Sequence, residues 1–136
     1  MKTRMFAIVA IVAIAAPLAC IAPPPEEREP TLTAIRADIF DPRCSASVCH
    51  SNGGARDLDL ENAPFEGLVN VPSVADPDIM RVAPGDPDGS LMFQVLQGPV
   101  PDAELGTLRQ MPIGAEVDDV DLEQLRQWIE AGAADD

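Results

Sequence analysis

The segment Cys44-Ser45-Ala46-Ser47-Val48-Cys49-His50 gathers two of the chain's three cysteines and its only histidine into seven residues. Whatever joins these side chains pins the backbone at three points, and the chain needs such a pin. Beyond residue 19 it holds three phenylalanines (Phe40, Phe65, Phe93), one tryptophan (Trp128) and no tyrosine. A domain of about 100 residues with so few large side chains makes a thin core. Two joining chemistries are simple. Cys44 and Cys49 can form a disulfide in an oxidising compartment, closing a small loop. Cys44, Cys49 and His50 can hold zinc, but a structural zinc site takes a fourth ligand, and only Cys20 remains to offer one.

A third chemistry accounts for more of the pattern. Two cysteines with a histidine directly after the second read as a covalent haem attachment site. Each thiol adds across one haem vinyl group to make a thioether, and the adjacent histidine places its imidazole under the iron. The common spacing leaves two residues between the cysteines; here there are four, so the attachment loop must bulge. A buried haem would supply the missing apolar volume. With one histidine in the chain, bis-histidine ligation is impossible. The single lysine, Lys2, lies in the N-terminal segment, so methionine is the remaining common axial partner. Met111 is favoured, because it lies late in the chain in an irregular stretch with Pro112 fixing the backbone beside it. Met92 falls in an expected helix with Phe93 and Leu96, where core filling suits it. Met80 sits in a loop beside Arg81.

The N-terminus has the order of a secretory signal: Lys2 and Arg4, an apolar run from Met5 to Ala16, then Pro17-Leu18-Ala19-Cys20. The run is shorter than the ~20 residues that span a bilayer as a helix. Leu18-Ala19-Cys20 resembles a lipobox, which makes Cys20 the candidate for lipidation and a new N-terminus; Ile21, in place of aspartate, favours the outer membrane. Multiple acyl chains would anchor the protein stably. The divisions are therefore 1–19 as signal peptide, 20–30 as lipidated cysteine and Pro-rich tether, and 31–136 as the folded domain. Without the signal, seven arginines face 23 acids, a net charge of −16. That excludes nucleic acid, which needs a basic footprint, and keeps the surface away from anionic lipid, so membrane contact is by the anchor alone. An acidic face suits a redox partner with a basic docking face, and equally well serves solubility.

The spacing predicts an all-α fold, a small helical domain with long loops. Thr31 to Pro42 reads as a first helix with Ile35 and Ile39 on one stripe, ended by Pro42 just before Cys44. Asn62 to Val69 reads as a short helix opened by Pro64. Leu91 to Gln97 follows with Ser90 as its cap, ended by Gly98, Pro99 and Pro101. Gly106 to Gly114 reads as loop. The last helix has a capping-box form at Asp121-Leu122-Glu123-Gln124, an apolar face of Leu122, Leu125, Trp128 and Ile129, and Gly132 at its end.

Cys44…Cys49-His50, Met111-Pro112 and Trp128-Ile129-Glu130-Ala131-Gly132-Ala133 together resemble a class I cytochrome c domain. More narrowly they resemble the short planctomycete-type cytochrome c domains of exported bacterial proteins. Arg81-Val82-Ala83-Pro84-Gly85-Asp86-Pro87-Asp88-Gly89-Ser90-Leu91 and Leu58-Asp59-Leu60 are similar to further segments of that type, so the likeness runs from about Ile35 to Ala134. The resemblance implies one haem c attached through Cys44 and Cys49, with iron bound axially by His50 and Met111. It also implies first and last helices crossing beside the haem, and Trp128 packed near the haem edge or that crossing. The function so implied is single-electron transfer by an exported, periplasm-facing lipoprotein that is not itself an enzyme. Alternatives are a haem peroxidase or gas sensor, and a non-haem lipoprotein with a Cys44–Cys49 disulfide.

Overall fold

The structure, a computed structural model, describes residues 27–136 apart from positions 53, 63 and 103. The expected signal peptide, Cys20 and the expected tether as far as residue 26 lie outside the described residues. The first helix, α1, is a continuous run of three segments, Leu32–Ile35, Arg36–Phe40 and Asp41–Arg43, the middle one π-wound. Thr31 caps it as its hydroxyl accepts from the Ala34 N–H at 3.1 Å. The wider winding brings Ile39 and Phe40, neighbours in sequence, to the same buried side as Leu32 and Ile35. Pro42 does not end the helix as expected. It opens the last segment, where its fixed φ suits a first turn, and the chain leaves the helix at Cys44.

Three further helices follow: α2, Pro64–Leu68; α3, Leu91–Gln97; and α4, Asp119–Glu130. Pro64 opens α2, where its fixed φ suits a first turn, and α3 ends at Gly98, where the backbone turns extended. Ser90 stands at the N-cap position of α3 but gives it no side-chain hydrogen bond. Its hydroxyl instead donates to the Asp86 carbonyl at 2.7 Å and accepts from the Ala83 N–H at 2.8 Å, tying together the turn before the helix. Leu125, Trp128 and Ile129 of α4 pack in one core with Ile35, Ile39 and Phe40 of α1 and Phe93 and Leu96 of α3. Among the described residues no helix is long and apolar enough to cross a membrane.

The all-α expectation is wrong: the domain is a small mixed fold. Strands β1 (Val100–Asp102) and β2 (Gly106–Leu108) pair antiparallel, Val100 opposite Leu108 and Asp102 opposite Gly106. Gly98, Pro99 and Pro101 do end the helix, but Pro101 is tolerated in a two-stranded ribbon, where every strand is an edge. The turn comes from Asp102, whose Oδ1 accepts the Glu104 and Leu105 N–H groups at 2.9 and 2.7 Å, and from Gly106 at φ +76°. Strands of three residues are too short to show alternation in a sequence.

The capping-box expectation also fails. The N-cap of α4 is Asp118, which accepts from the Asp121 N–H at 2.9 Å. Asp121 is fully buried and pairs with both Arg28, from the stretch before α1, and Arg43, the residue before Cys44. The triad therefore ties the end of α1 to the start of α4. Removing both arginines leaves a buried carboxylate uncompensated, at a cost of about 3–5 kcal/mol. The double variant Arg28→Ala/Arg43→Ala is thus expected to lose far more stability in urea unfolding than Asp121→Asn, whose two arginines can regain water.

Candidate functional site

The cysteine-histidine segment begins where α1 stops. The Cys44 N–H donates to the Phe40 carbonyl at 2.8 Å, holding Cys44 to the helix end. The chain then loops out and returns: the Cys49 N–H donates to Ala46 O at 2.7 Å, and the His50 N–H donates to Cys44 O at 3.1 Å. That last bond brings His50 back beside Cys44 despite the longer spacing. The extra residues take up the slack at the surface, with Val48 87% exposed. Beyond His50 the turn is held by the Ala55 N–H on Cys49 O at 2.7 Å and the Leu60 N–H on His50 O at 2.8 Å. Gly54 lies so close under the loop that a Cβ there would sit 2.1 Å from the Cys49 carbonyl oxygen.

Below this loop is an apolar cavity of about 170 Å³, open to solvent on one side. Cys44 and His50 line it from the motif, Leu60 and Leu68 from the loop and α2, Met92 and Leu96 from α3, Leu108 from β2, and Met111 from the stretch after β2. Met111 is half-buried and its N–H is fixed on the Val95 carbonyl at 2.9 Å. Of the sulfurs weighed as axial partner, Met111 and Met92 line the cavity; Met80 does not. Cys49 is half-buried beside His50, outside the lining. Trp128 is not part of the lining either: it sits in the core, 1% exposed, with its Nε1–H donating to the Ala134 carbonyl at 2.9 Å.

The electrostatics favour neutral groups. The Cys44 thiol is pushed up to about 11, by burial first and by Cys49 nearby second. It is therefore a protonated thiol at neutral pH, and metals take the thiolate. Both Cys44 and Cys49 are free thiols. Burial holds the His50 imidazole below its ordinary value; the carbonyls of Ala55 and Leu58 oppose this and the charge of Arg81 adds to it. His50 Nδ1 is buried with no partner in hydrogen-bond geometry. A neutral imidazole with a backbone carbonyl beside it is the state that presents a ring nitrogen to a metal. Among the described residues no three His, Cys, Asp or Glu side chains are grouped so as to hold a metal ion; Cys20, the fourth ligand the zinc alternative calls on, lies outside them.

Two charged residues of the lining escaped the sequence reading, Arg56 and Arg81. Nothing in their spacing marks them, because loops bring them to the cavity. Arg56, held at φ +58°, places its Nη2 2.9 Å from Asp102 Oδ2 and so joins the loop after His50 to the β1–β2 hairpin. The Leu105 N–H, then the Glu104 N–H and Arg56, hold the Asp102 carboxyl below the usual carboxylate range. Because its pKa is lower in the fold than in the unfolded chain, its contribution is present above the ordinary value of about 4 and is lost as pH falls through and below it. Thermal melts of the wild type and Asp102→Asn are expected to differ most near neutral pH. The gap should narrow as pH falls below the ordinary carboxylate value and close only once Asp102 is protonated within the fold.

Compared with family models, curated proteins and solved structures, the chain matches none of them.

Proposed function

We propose that the chain is a monohaem c-type cytochrome that carries single electrons. One haem c is attached through Cys44 and Cys49, with His50 and Met111 as axial ligands. The observation that supports this most is that Cys44, His50 and Met111, from opposite ends of the domain, line one apolar cavity. The donor chemistry fits the group: a protonated thiol, a neutral imidazole with an unpartnered nitrogen, a thioether sulfur and a predominantly apolar wall. When bound, haem c supplies an iron that cycles between ferric and ferrous states by one electron.

The residues of the chain define the rest. His50 and Met111 would hold the iron from the two sides of the cavity, which would leave no position there for a substrate, so the protein would act as a carrier rather than an enzyme. Met111 raises the reduction potential relative to a second histidine. Leu60, Leu68 and Leu96 exclude water from the cavity wall and keep the dielectric low. The N-terminal pattern supports export, lipidation of Cys20 and anchoring to the periplasmic side of a membrane, the outer membrane by preference. The surplus of acids supports a redox partner with a basic docking face.

The test is a redox titration of the exported protein followed by exposure of its ferrous form to carbon monoxide. A reversible one-electron transition with no carbon monoxide adduct is expected. Rapid formation of an adduct would show a labile position at iron and turn the reading to a gas sensor or peroxidase.

A further inference from the structure

Arg81 stands at the edge of an apolar cavity. The chain has 23 acids, yet among the described residues no carboxylate forms an ion pair with Arg81, whereas Arg56, the other arginine of the lining, reaches Asp102 and Glu104. Arg81 is instead clamped by carbonyls. Its Nη1 donates to Gly67 O at 2.8 Å and to Asp57 O at 3.4 Å, and its Nη2 to Arg56 O at 3.0 Å. A guanidinium has five N–H donors in a rigid fork. Three are used, so the Nε–H and one Nη2–H remain. The head group is partly buried; burial works against its charge and pulls its pKa down, and the charge of Asp57, beyond ion-pair distance, opposes this. A positioned, partly desolvated guanidinium with two spare donors is built to receive a carboxylate. Among the described residues no acid forms a direct ion pair with it, and the charge of Asp57 acts only from a distance.

We infer that Arg81 receives a carboxylate of the molecule that fills the cavity, with the buried, unpartnered Nη1 of Arg56 as a second donor on the same side. This rests on the proposed function, in which the cavity takes haem c and the carboxylates are its propionates. Arg81 then does two things. It fixes which edge of the ring system carries the acids, and its positive charge favours the reduced iron. Arg81 is a positioning residue: it touches the periphery of the group, not the iron.

The experiment compares haem-loaded wild type, Arg81→Gln and Arg81→Lys by resonance Raman and by reduction potential. The propionate bending band of the wild type should stand apart from that of a haem peptide released by proteolysis. Arg81→Gln should move the band towards the peptide's position and lower the potential, and Arg81→Lys should restore most of the potential. If Arg81→Gln fails to fold, the wild type and the peptide still decide: coincident bands would overturn the inference. So would a loaded Arg81→Gln with the band and potential of the wild type, or Arg81→Lys and Arg81→Gln displaced alike. In each of these cases haem is bound and the proposed function stands. A chain that takes up no covalent haem would instead remove the proposed function, and this inference with it.

Discussion

Met111→Ala is expected to leave the haem covalently attached and to open the iron to carbon monoxide. In the proposed reading, attachment is through Cys44 and Cys49, which the substitution does not touch. The backbone at 111 keeps its place, because the N–H on Val95 O at 2.9 Å involves no side chain. The side chain is half-buried at the cavity wall, so truncation should cost about 2 kcal/mol or less, the low end for a methionine. The ferrous variant should bind carbon monoxide where the wild type does not, and its reduction potential should fall with the loss of the thioether. Met92→Ala is the informative comparison. Met92 is 9% exposed in the core and lines the same cavity, so its removal should cost about 2–4 kcal/mol without opening the iron. The reverse pattern, with Met92→Ala binding carbon monoxide and Met111→Ala inert, would move the axial role to α3.

Gly54→Ala is expected to abolish haem attachment. The added Cβ would stand 2.1 Å from the Cys49 carbonyl oxygen and 3.0 Å from the Ser51 carbonyl oxygen. Both obstacles are backbone, and one of them is the carbonyl that accepts the Ala55 N–H. The loop cannot relieve the overlap without moving Cys49 and His50 away from Cys44. A loss of about 3 kcal/mol or more is expected, in the range reserved for a forced backbone change. Gly98→Ala serves as control: a Cβ there meets nothing within 4 Å, and φ is 177°, extended backbone open to any residue. A Gly54→Ala protein with normal haem content and stability would show that the loop geometry around His50 is not as described.

The parts of this architecture that were legible in the sequence are those set by local chemistry. Leu91–Gln97 is bounded by a turn on one side and glycine and proline on the other, and it folds over those residues. The apolar face of α4 is buried as its spacing requires, with Leu125 and Ile129 fully covered. Where two local signals compete, tertiary packing chooses. Asp118 and Asp121 both suit a cap, and Asp121 was drawn inside by two arginines that lie far off in sequence. The π-wound stretch of α1 has no periodic signature, since it appears as a run of ordinary helix formers. The hairpin was hidden by two prolines and by strands too short to alternate. At the candidate site, Cys44, His50 and Met111 could be named as candidates because few residue types offer such chemistry, and all three line the cavity. Arg81 could not, because an arginine in a loop is ordinary until its neighbours prove to be carbonyls rather than acids.

The central claim is that Cys44 and Cys49 hold a haem covalently. It is tested most directly by haem staining after denaturing electrophoresis of the full chain, exported in a host that matures c-type cytochromes, beside Cys44→Ala and Cys49→Ala. The account predicts a stained wild-type band, weakened in each single variant and gone in the double variant. A folded wild type that carries no stain, with Cys44 and Cys49 joined in a disulfide, would contradict it.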